Sequence, residues 1–65
     1  MEVSYHYTND LGIPKRLNVG ALNPITNKYP VTLWELTHGE LCGSGEMTKE
    51  EINELLAHYG VTETF

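Results

Sequence analysis

The chain has 65 residues, a formal net charge of −5 and one cysteine, Cys42. A chain this short forms one domain and buries only roughly 60% of the surface its unfolded form exposes, so its core must be efficient or supplemented. One cysteine excludes an internal disulfide. The lack of an N-terminal apolar segment, of an Asn-x-Ser/Thr sequon and of an apolar run near the ~18–20 residues of a membrane span predicts a soluble, cytoplasmic protein.

Charge is unevenly placed along the chain. Residues 1–34 hold two acids against Lys15, Arg16 and Lys28, whereas residues 35–65 hold seven acids against Lys49 alone. That acidity predicts no direct nucleic-acid binding and no membrane association, because both draw on Lys and Arg. It favours a protein partner with a basic surface, although net negative charge also serves solubility alone.

Taken in chain order, residues 2–8 alternate, with Val3, Tyr5 and Tyr7 on one face, as a half-buried strand requires. Asn9-Asp10-Leu11-Gly12 followed by Pro14 predicts a reversal, and residues 16–19 alternate again as a short second strand. From Gly20 to Pro30, Asn-Pro, Thr-Asn and a second proline deny a helix. Leu22, Ile25 and Tyr29 in that segment suggest an ordered loop lying against the core. Residues 31–37 have the highest β-propensity, with Val31 and Leu33 on one face and Trp34 and Leu36 on the other. A strand apolar on both faces is either covered on both or meets another molecule. His38-Gly39-Glu40 predicts a turn, and Leu41-Cys42 a brief return before Gly43-Ser44-Gly45 breaks the ladder.

Residues 49–59 carry the strongest signal. Thr48 and Glu51 have the spacing of a reciprocal capping box, and Met47 and Ile52 stand at the hydrophobic-staple positions. Ile52, Leu55, Leu56 and Tyr59 form one stripe for packing on a sheet, and Gly60 with Val61 predicts a Schellman ending. The expectation is an α+β fold: a small antiparallel sheet of about three strands, with one C-terminal helix packed on it, in a single domain spanning 1–65.

The chemistry-bearing residues form no site by spacing. Gly43-Ser44-Gly45 before a helix suggests an anion cradle, but Glu46, Glu50 and Glu51 occupy that helix end and a P-loop lysine is missing. His6, His38, Cys42 and His58 are ligand types for zinc without its paired spacing. A Cys42 nucleophile lacks an orienting third group. No enzyme activity, metal or cofactor is therefore expected. Of the five residues Tyr5, Tyr7, Tyr29, Trp34 and Tyr59, only Trp34 lies off the core face by pattern, and Trp is favoured at binding hot spots.

Elimination leaves a whole small gene product that occupies a partner's surface: a protein-binding regulator or inhibitor, of the kind phages and mobile elements encode against host enzymes, or in a narrower form a DNA mimic. Trp34, Leu36, Glu46, Glu50 and Glu54 are its candidate contact residues. The alternative is a self-assembling structural or accessory protein, with a homodimer as its simplest form.

Overall fold

The computed structural model describes residues 2–65. Four strands and one helix follow in order: β1 (Val3–Thr8), β2 (Pro14–Val19), β3 (Tyr29–Glu35), β4 (Glu40–Met47) and α1 (Lys49–His58). The strands form an antiparallel meander, β1-β2-β3-β4, in which each neighbour in sequence is a neighbour in space. The fold is α+β, with four strands rather than about three.

The fourth strand is the main correction. Gly43-Ser44-Gly45 does not break the ladder: Gly43 pairs with Leu33, Ser44 with Thr32 and Gly45 with Val31. The weak strand propensity of glycine is overridden by a full neighbouring strand to pair with. The irregularity falls one residue earlier, where the register shifts between Leu33 and Trp34 and Cys42 is left over as a β-bulge.

Alternation decides the core. Tyr5, Tyr7, Leu17, Val19 and Val31 point to one face and join Ile52 and Leu56 of α1 in the buried cluster. Cross-strand pairs Tyr5–Leu17, Leu17–Leu33 and Val19–Val31 keep that face in register over three strands. Tyr59 stacks on Tyr7 with ring centroids 4.3 Å apart, so the helix runs from the end of β4 toward β1. The chain beyond α1 then doubles back. Phe65 donates its backbone N–H to Asn53 Oδ1 at 2.7 Å and meets the Tyr29 ring edge-on at 4.6 Å.

The helix boundaries agree with the expected signals. Thr48 Oγ1 accepts from the Glu51 N–H at 3.1 Å and Glu51 Oε1 accepts from the Thr48 N–H at 2.9 Å. At the other end Gly60 has φ 73°, and the N–H groups of Gly60 and Val61 donate to the Ala57 and Leu56 carbonyls at 3.1 and 2.9 Å, both bonds of the Schellman motif. Tyr59 is the C-cap rather than a helical residue.

The loop before β3 needs a second correction. It is ordered, but it does not lie on the core: Ile25 is 92% exposed and Leu22 43%, while Tyr29, which does pack on the core, already belongs to β3. Polar bonds hold the loop. Asn23 and Lys28 form an isolated bridge, and Asn23 Nδ2 and Thr26 Oγ1 both donate to Glu46 Oε2 at 3.1 Å.

Candidate partner-binding surface

Because α1 covers one face of the sheet, the other face is open. It carries two cross-strand rows by register, His6–Arg16–Trp34–Leu41 and Ser4–Asn18–Thr32–Ser44. The second row is polar and partly self-satisfied, Ser4 Oγ donating to Asn18 Oδ1 at 2.7 Å.

The first row has the character of an anchor. The Arg16 guanidinium lies 5.9 Å from the Trp34 ring centroid, within cation–π range, and Trp34 Nε1 donates to Thr32 Oγ1 at 3.2 Å. The indole is thus half-buried by its own face and held in place. Arg16 Nε is buried without a hydrogen-bond partner among the described residues. Such an orphan donor costs about 1–3 kcal/mol.

Exposed apolar side chains gather at the same end of the sheet. Leu41, 52% exposed, stands opposite Trp34. Leu36, 37% exposed, donates its backbone N–H to the Pro14 carbonyl at 3.0 Å, and Pro14 pairs with Thr8 across the turn that displays Leu11, 82% exposed. That turn is itself rigid, since Asn9 Oδ1 accepts from the N–H groups of Leu11 and Ile13 at 3.0 and 2.9 Å. These leucines put exposed apolar area at one end of a fixed scaffold.

The five candidate contact residues do not come together. Trp34, Leu36 and Glu46 belong to the open face or its end, with Glu46 occupied by the loop. Glu50 and Glu54 stand on the exposed side of α1, across the sheet from Trp34. Arg16 and Leu41 were not in the expected set, although Arg16 alternates with Leu17 and was legible as an outward residue. Leu41 as the neighbour of Trp34 was hidden by the bulge.

The remaining chemistry-bearing groups are dispersed. Cys42 is exposed on the bulge, its Sγ 3.3 Å from Lys15 Nζ. His38 pairs with Glu35 at 3.2 Å in the β3–β4 turn. Burial would raise the Glu35 carboxyl, but hydrogen bonds from Thr37 and His38 outweigh it and hold the group below its ordinary value. Tyr7 is pushed up, chiefly by burial and then by Tyr59 and Cys42. His6 is on the open face and His58 in the last turn of α1. Among the described residues no three His, Cys, Asp or Glu side chains converge on a point, and no helix is long and apolar enough to cross a membrane.

No protein family, curated protein or solved structure matches this chain.

Proposed function

We propose that the protein is a binding module that regulates or inhibits another protein by occupying its surface, with the open sheet face around Trp34 and Arg16 as the contact. The supporting observation is the pairing of those two residues: a fixed indole beside a guanidinium on the open face, with the exposed Leu41 opposite the indole in the next strand. Trp and Arg are the residue types that dominate binding energy when a partner desolvates them. A matching partner offers an apolar recess for the indole and a carboxylate or carbonyl for Arg16. The DNA-mimic form has less behind it, because this face carries Arg16 and His6 rather than a row of acids.

The test is affinity capture from the native host's lysate with wild type and the variants W34A and R16A, alongside circular dichroism and sedimentation of each. A partner held by wild type in stoichiometric amount, and lost by both folded variants, supports the reading. Capture that survives both substitutions overturns it. A wild-type dimer that W34A disperses assigns the face to self-assembly instead.

A further inference from the structure

Strand β4 is an edge of the sheet, and among the described residues no backbone group outside the sheet bonds to residues 40–47. Natural edges are guarded by lysine, proline, a bulge or an inward charge. The Cys42 bulge guards only the half of β4 next to the turn. Residues 43–47 hold no lysine or proline, and their one charge, Glu46, lies toward the open face, where Asn23 and Thr26 donate to its carboxylate.

The core-facing side of that stretch is as bare as its edge. Gly43, Gly45 and Met47 stand opposite Leu33, Val31 and Tyr29, which all belong to the core side. Because α1 starts beside β4 and ends over β1, where Tyr59 meets Tyr7, the corner above the two glycines is an open groove of about 270 Å³, lined by Leu33, Leu55 and Met47. A side chain at either glycine would meet nothing within 4 Å, and neither has a positive φ. The fold of a single chain therefore gives no reason for glycine at either place. Glycine inside a strand weakens it and often marks the close approach of another backbone.

The stretch is complementary to itself. Opposed residues in an antiparallel pair share a face, so two copies paired about a two-fold axis must centre on a residue that stands opposite its own counterpart. Centred on Ser44, the pairing draws the Cys42 bulge into the ladder; centred on Glu46, it sets two carboxylates opposite one another. Centred on Gly45, it places Met47 of each copy opposite Gly43 of the other, and Ser44 opposite Glu46. A large, flexible thioether then meets the space left by a missing side chain, once on each side of the axis. The acids of α1 nearest the seam raise no barrier. Glu51 is bound in the capping box in the field of Lys28, and Glu50 borders a separate recess with Lys49.

We propose that the protein forms a two-fold dimer through residues 43–47 of β4, paired antiparallel with Gly45 of one copy opposite Gly45 of the other. The two sheets become one, four strands from each copy, with both helices on the same face. The two open corners face each other across the seam, and each Met47 covers the groove of the other copy. The Trp34 faces stay free, so the dimer does not depend on the contact proposed above.

Sedimentation equilibrium of wild type should show monomer and dimer in exchange. Mixing protein labelled with carbon-13 at its methionine methyls with unlabelled protein should give an intermolecular NOE from the Met47 methyl to the Gly43 Hα. G43V fills the space that Met47 of the second copy needs, and G45K opposes two like charges at the axis. Both should keep the circular dichroism spectrum of wild type and dimerise at least about tenfold more weakly. W34A should dimerise as wild type does. Should either glycine variant fail to fold, the NOE on wild type decides alone. A wild type that stays monomeric at millimolar concentration, equal dimerisation by the folded glycine variants, or a dimer without the Met47–Gly43 contact each overturns the proposal. So does a dimer that W34A disperses, which belongs to the Trp34 face.

Discussion

At the scale of single residues, Trp34 separates a binding face from a core. Inside a core, Trp→Ala costs about 3–5 kcal/mol, enough to unfold a marginal domain. Here the indole is half-buried on an open face, so W34A should forfeit the Arg16 contact and part of the burial, about 1–2 kcal/mol in urea denaturation, and keep the far-ultraviolet spectrum of wild type. Ile52→Ala is the contrast. Ile52 is fully buried under the sheet, and its truncation should cost about 2–5 kcal/mol and leave little folded protein. A W34A variant as unstable as I52A would place the indole in the core and remove the main support for the proposed contact.

At the scale of elements, the α1 capping box gives a pH dependence of known sign. Hydrogen bonding to Thr48 holds the Glu51 carboxyl below its ordinary value of 4.5. A carboxyl depressed in the folded state contributes stability that is fully present above its unfolded value and is lost as pH falls through the folded one. Urea midpoints should therefore decline below about pH 4.5. Gln keeps the oxygen that accepts from Thr48 but does not ionise, so E51Q should flatten that part of the decline attributable to Glu51, the rest persisting through Glu35. T48A removes the cap at every pH and should cost about 1 kcal/mol. An E51Q profile parallel to wild type from neutral to acid would show that the box is not titrating.

At the scale of the whole molecule, the sheet divides two kinds of surface. One side presents Trp34, Arg16 and leucines; the other presents α1 with Glu50 and Glu54 outward. The aromatic and acidic contact residues expected as one site thus serve two directions. Reversing both helix acids, E50K/E54K, should leave capture through the Trp34 face unchanged, as followed in the same lysate capture with circular dichroism alongside. Loss of capture by the folded variant would move the contact to the acidic side of the molecule.

Much of the fold was written locally. The bounds of α1 followed from Thr48, Glu51 and Gly60, because caps are satisfied by neighbours three to five residues away. The inward faces of β1 and β3 followed from alternation, which requires only a sheet and a core. Residues whose state depends on distant partners were not legible. Glycine-rich 43–45 became a strand because β3 had an unpaired side to offer, and Ile25 was left in solvent because Glu46, twenty residues on, satisfied the loop's polar groups. The open Trp34 face and its Arg16 neighbour were decided by where one helix crosses four strands. That crossing is set by the packing of Tyr59 on Tyr7 and of Ile52 and Leu56 into the core, contacts between segments some fifty residues apart that no local pattern records.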